Sequence, residues 1–169
     1  VTTDRLIEAF AARLIAEGVP IVEADNKARL DALEEKLPKR LPQSFASFLS
    51  RYSYPAFDVS GISIFGWESG SIAYIERASA AKDSMSELLI PAGYLQIGQP
   101  DTGSFDAVCF DLNGKSQNRE YRIVRVDHEE ILCNWRVRVS EELWPSFVKL
   151  VEAVLASAKP QVFYEAPRP

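Results

Sequence analysis

The chain has 169 residues, 47% of them hydrophobic and 25% charged, and a formal net charge of −5. That length is enough for one domain with a sizeable core, and this balance excludes a disordered or collagen-like chain. No apolar run approaches the ~18 residues of a membrane span.

The basic residues that come closest to a cluster are Arg119, Arg122, Arg125, Arg136 and Arg138. Glu120, Asp127, Glu129 and Glu130 are interleaved with them. A nucleic-acid binder would carry an unbroken basic stripe, so neither nucleic acid nor membrane is expected as a partner.

Thr3 to Glu17 reads as a helix. Ile7, Phe10, Ala11 and Leu14 recur at helical spacing, Thr2 or Thr3 can cap the start, and Gly18 suits the position after the end. Residues Val1 to Phe10 lack the basic start and apolar run of a signal peptide, so the expected compartment is the cytoplasm. Val19-Pro20 breaks the pattern. A second helix, capped by Asp25, turns Leu30, Leu33 and Leu37 inward and stops at Pro38. Leu41-Pro42 opens a third, in which Phe45, Phe48, Leu49 and Tyr52 form one apolar stripe.

Gly61 to Gly66 reads as a strand, followed by Trp67. The stretch from Ser71 begins extended at Ile72 and Tyr74 and becomes helical from Arg77 to Leu89. Tyr94, Leu95 and Ile97 predict a strand ahead of Gly98, and Gln99 to Ser104 a turn. Phe105 to Leu112 is a strand with apolar residues on both faces, and Asn113-Gly114 is a turn signal. Tyr121 to Val126 is a further strand, and Arg136 to Val139 alternates like an edge strand. A last helix starts around Pro145, with Phe147, Leu150, Val151, Val154 and Leu155 inward, and the segment after Lys159 is proline-rich. Helices, then adjacent strands, then a helix predict an α+β fold: a mostly antiparallel sheet with N-terminal helices and a C-terminal helix packed on it.

The residues offer little for catalysis. His128 is the single histidine, and it reads as a surface or loop-anchoring group. The chain contains no H-E-x-x-H, no G-x-G-x-x-G and no phosphate loop. Asp101, Asp106 and Asp111 are spaced too widely for an EF-hand and read as a solvated hairpin edge. Cys109 and Cys133 form no metal-type pair and are expected to be buried, reduced thiols. No catalytic residue, metal or cofactor is therefore expected.

The helix with Leu30, Leu33, Glu34 and Glu35 leads to Leu41-Pro42 and the aromatic helix. Gly61-Ile62-Ser63-Ile64-Phe65-Gly66, Tyr94-Leu95-Gln96-Ile97-Gly98 and Asp106-Ala107-Val108-Cys109-Phe110-Asp111 follow, and then the helix at Ser146-Phe147. This succession resembles the SUKH superfamily, named in part for the yeast Smi/Knr cell-wall regulators, over roughly residues 21 to 157. Ser53-Tyr54-Pro55 stands where the family often has Asn-Gly-Gly, and Asp101 to Phe105 where it often has a glycine-rich turn.

Bacterial domains of this kind commonly serve as immunity proteins against polymorphic toxins. The resemblance therefore implies an α+β fold spanning one domain, residues 1–169, and a protein partner, which can be a basic toxin domain. A regulatory or scaffold domain without a toxin is the alternative, and a hydrolase or transferase built around His128 a third. The expected partner surface is an acidic patch of Glu68, Asp101 and Asp106 with Trp67 as anchor, because these residues fall in turns beside strands. The sequence leaves the oligomeric state open.

Overall fold

The computed structural model describes residues 2–68, 74–80, 84–114 and 118–168. Helix α1 spans Thr3–Ala16, β1 Val22–Glu23, α2 Lys27–Glu34, α3 Gln43–Arg51 and β2 Tyr52–Ser53. Then come β3 Phe57–Val59, β4 Ile62–Ile64, α4 Tyr74–Ala80, α5 Ser84–Leu89 and β5 Tyr94–Pro100. The remaining elements are β6 Ala107–Asp111, β7 Ile123–Val126, α6 His128–Asn134, β8 Val139–Trp144, α7 Phe147–Ala156 and β9 Val162–Phe163.

Seven strands form one sheet in the order β8-β7-β6-β5-β4-β3-β9, and β1 pairs with β2 separately. Each pairing in the seven-stranded sheet is antiparallel. The fold is α+β, with helices at both ends of the sequence around this sheet.

Strand β6 is buried along its whole length, and its alternation shows why. Val108 and Phe110 belong to the large cluster shared with α1, α3 and α7, which includes Phe10, Phe45, Phe48, Leu49, Phe147, Leu150, Val154 and Ile64. Ala107 and Cys109 point the other way, into a smaller cluster with Leu89 of α5 and Ile131 of α6. Side chains alternate faces along a strand, so a central strand covered by helices on both sides must be apolar throughout.

Several elements differ from the sequence reading. The strand at Ile62–Ile64 is half of a hairpin: Val59 pairs with Ile62 across Ser60 and Gly61, both with positive φ. That is the two-residue turn whose twist suits antiparallel strands. Asp127 begins a helix, α6, where only the end of a strand was expected. The edge strand starts at Val139, the last residue of the alternating stretch. Asn26, not Asp25, stands at the N-cap of α2. It is buried, and its amide donates to the carbonyls of Leu49 and Tyr52. The proline-rich end contributes β9, which pairs with β3. Cys109 is buried as expected, but Cys133 is exposed on α6, whose inward side is taken by Ile131. Tyr74 opens a helix, and the extended start expected at Ile72 lies outside the described residues.

Candidate functional site

The ends of three strands meet beside the first turn of α6. Because Ala107 pairs with Val126, the residues just outside the pair, Asp106 and Asp127, come together. Ser104 and Asp106 from the β5–β6 loop, Arg125 of β7, Asp127, His128 and Glu129 at the start of α6, and Ser140 and Glu141 of β8 line a groove of about 490 Å³.

Asp106 organises this groove. One carboxylate oxygen, Oδ1, accepts from the backbone N–H of His128 at 3.0 Å and lies 2.6 Å from its ring Nδ1. The other, Oδ2, accepts from Arg125 Nε at 2.5 Å. Burial alone would raise the carboxyl's pKa, but the two His128 donors and the Arg125 guanidinium outweigh it and hold it at about 2. Asp106 is thus ionised at neutral pH, and a carboxylate only accepts, so Nδ1 of His128 carries the proton. Asp127 caps α6: its Oδ1 accepts from the backbone N–H groups of Glu129 and Glu130.

This arrangement orients an imidazole, and among the described residues no hydroxyl or thiol is hydrogen-bonded to it. Ser104 Oγ accepts from the Asp106 N–H and from Arg125 Nη2, and Ser140 Oγ donates to the Arg125 carbonyl. A nucleophilic site needs a hydroxyl or thiol in hydrogen-bond reach of its base. Among the described residues, Asp106, Asp127 and His128 form a group whose ligand-type atoms lie within 4.8 Å of one another. Both oxygens of Asp106 are already engaged, however, and a cation there would face the Arg125 guanidinium. The cluster is an ion-paired anchor for the start of α6.

Two of the expected surface residues are not at the surface. Trp67 is fully buried, so it cannot anchor a partner. Its indole N–H donates to the Leu49 carbonyl at the end of α3, and the Arg29 guanidinium covers its ring at 4.2 Å from the centroid. A buried indole needs such an acceptor, and the last carbonyls of a helix offer one. Asp106 is also buried and belongs to the internal pairing just described.

Glu68 and Asp101 are exposed but lie at opposite ends of the sheet. Ile62 pairs with Pro100, and Phe65 donates to the Ile97 carbonyl, so the chain runs from Ile62 towards the Tyr94 end of β5. Glu68 follows at that end, while Asp101 follows the Pro100 end, about 20 Å of strand away. Asp111 sits at the far end of β6 from Asp106, buried and paired with Arg122. The four expected residues do not form one patch.

The sequence reading missed Arg125 and His128 as the partners of Asp106. One signal was present: Asp127 followed by two glutamates is an N-cap with an acidic first turn, which places His128 at a helix start.

No curated protein matches the chain. The family described as SMI1 / KNR4 (SUKH-1) matches residues 26–153, from the buried Asn26 into α7. The match takes in α2 and α3, every strand but β1 and β9, and the whole of the groove. The chain belongs to the SMI1 / KNR4 family (SUKH-1).

Proposed function

We propose that the chain is a protein-binding, immunity-type domain that neutralises a cognate polymorphic toxin in the cytoplasm by direct binding, without chemistry of its own. The family match over residues 26–153 carries this reading. The groove is consistent with it: Ser140 Oγ donates to the Arg125 carbonyl, the imidazole is held through Nδ1 by Asp106, and no hydroxyl or thiol among the described residues is bonded to the imidazole. The proposed toxin surface takes in Glu141, exposed in the groove, and Asp101, exposed three residues before the groove-lining Ser104. It replaces the patch centred on Trp67. Carboxylates there suit a basic partner, through steering of the encounter.

The test uses the protein encoded by the neighbouring gene. Co-expression should rescue cells from that protein's toxicity, and the purified pair should associate. Replacing Asp101 and Glu141 together with lysine should slow association about tenfold at low salt and flatten its salt dependence. A neighbouring product that is toxic yet neither bound nor neutralised sinks the proposal. The family's Smi/Knr regulators favour one alternative, a scaffold domain without a toxin. A neighbourhood without a toxin gene, with stable capture of a non-toxic protein, decides for it.

A further inference from the structure

Strand β9 is a slender cover for the β3 edge. Val162 and Phe163 stand in register with Val59 and Asp58, and the Ser60 N–H donates to the Gln161 carbonyl at 2.8 Å. Val162 and Tyr164 pack against the main core, to which Phe57 and Val59 belong. Phe163, between them in the chain, points to the outer face and is 59% exposed. Just upstream, Arg13 Nη2 donates to the Ser157 and Ala158 carbonyls at 3.1 and 3.4 Å. Helix α7 ends at Ala156, before this pin, so β9 can leave β3 without disturbing the helix.

The outer face of this pair is mismatched. Asp58 stands opposite Phe163 on one side and Ser63 on the other. It is half-buried, and among the described residues its carboxylate makes no hydrogen bond or ion pair. Side chains directly opposed across an antiparallel pair interact, and opposite charges stabilise such a pair. A lysine or arginine in the place of Phe163 would meet Asp58, which β9 leaves unanswered. On the inner face, Val162 and Tyr164 show that the edge takes apolar groups. The edge is thus complementary to an extended segment that reads apolar, basic, apolar. The chain's own strand matches the two apolar positions and misses the basic one.

We propose that β9 is a displaceable strap, and that the β3 edge receives in its place an extended segment of a protein partner, antiparallel to β3, with a basic side chain opposite Asp58. Main-chain hydrogen bonds supply the affinity, and Asp58 with its apolar neighbours supplies the selectivity. The tethered strap competes at an effective concentration of about a millimolar, so a partner segment binds weakly while β9 is seated and more tightly as it leaves. The groove is built on β7 and β8, at the opposite side of the sheet from β3. The strap therefore stands apart from the toxin reading, and either can fail alone.

Hydrogen exchange of the full chain reads the strap directly. The Ser60 amide, whose acceptor is Gln161, should exchange at least about 100-fold faster than the amides of β6. The binding probe is a synthetic peptide of residues 158–169 carrying Phe163→Lys, added at up to about 1 mM. It should bind the full chain with Val162→Asp, which unseats the strap, at least about tenfold more tightly than the unaltered chain. Binding should slow exchange at Ser60, which locates the peptide on the β3 edge. The same peptide with Phe163 retained should bind about threefold more weakly, and Asp58→Asn in the chain should erase that difference. A Ser60 amide as slow as those of β6 overturns the proposal without any variant. So does a peptide that ignores Val162→Asp, that leaves Ser60 exchange unchanged, or that gains nothing from its lysine. An unaltered chain that doubles in mass by exchanging straps assigns the edge to a second copy and overturns it too.

Discussion

Asp106 shows how one side chain can be misread as surface and still matter. Its carboxyl is held at about 2 against an ordinary 3.8, so the folded state binds its proton later than the unfolded chain does. A depressed carboxyl contributes stability that is complete above the unfolded value and disappears as pH falls through the folded one. The difference is worth about 2 kcal/mol, lost between about pH 4 and pH 2. Urea unfolding across that window should show this slope, and Asp106→Asn should remove it while costing about 2–3 kcal/mol at neutral pH. A variant with the wild-type slope would place the titrating group elsewhere. Tyr54 is the opposite case. Its hydroxyl is buried with no hydrogen-bond partner among the described residues, while its ring stacks on Phe48 at 4.8 Å. Burial pushes its phenol well above the ordinary value. Tyr54→Phe keeps the stacking and removes an unsatisfied group, so thermal unfolding should show a stability unchanged or raised by up to about 1 kcal/mol.

Element geometry sets where the candidate groove sits, and Gly98 is one of its fixed points. The β5–β6 register shifts between Gln96 and Gly98, and a Cβ on Gly98 would lie 2.2 Å from the Ser63 carbonyl oxygen of β4. Backbone cannot yield there as a flexible side chain can. Gly98→Ala should therefore force β4 and β5 apart and cost at least about 2 kcal/mol in chemical denaturation. A near-neutral effect would show that the sheet centre is looser than its packing. The apolar periods at Ile7 to Leu14, Phe45 to Tyr52 and Phe147 to Leu155 were legible in the sequence because each pattern repeats over about two turns, although the third helix ends at Arg51 and Tyr52 opens β2. The strands β1, β2, β3 and β9 were not. Each has two or three residues and exists through a partner elsewhere in the chain, Val22 with Ser53 or Val59 with Val162. No local pattern encodes such pairing. Trp67 failed for a related reason. Its burial depends on the Leu49 carbonyl and on Arg29, 18 and 38 residues earlier in the chain.

At the scale of the whole molecule, the sheet has two edges that the chain treats differently. On the β8 side, Ser140, Glu141 and Glu142 stand exposed, and charge along an edge discourages pairing with other chains. On the other side, β3 has the apolar Phe57 and Val59, and the last segment of the chain covers it. Phe163 pairs with Asp58 and Val162 with Val59, and the Ser60 N–H donates to the Gln161 carbonyl at 2.8 Å. Val162 and Tyr164 pack against the main core cluster. Arg13 of α1 holds the path to this edge, its Nη2 donating to the Ser157 carbonyl at 3.1 Å. The family match ends at residue 153, before Ser157 and the covering strand β9. A chain ending at Lys159 would keep the groove, α6 and the matched region, and would lose only the cover of β3. It should fold to the same structure with stability lower by about 1–3 kcal/mol, from the lost ladder bonds and the uncovered apolar surface. The uncovered β3 would present unpaired N–H and C=O groups beside apolar side chains, so the shortened chain should also aggregate faster on warming. Equilibrium denaturation and light scattering of the two chains, side by side, measure both effects. Equal stability and equal scattering would show that the last ten residues do not guard this edge.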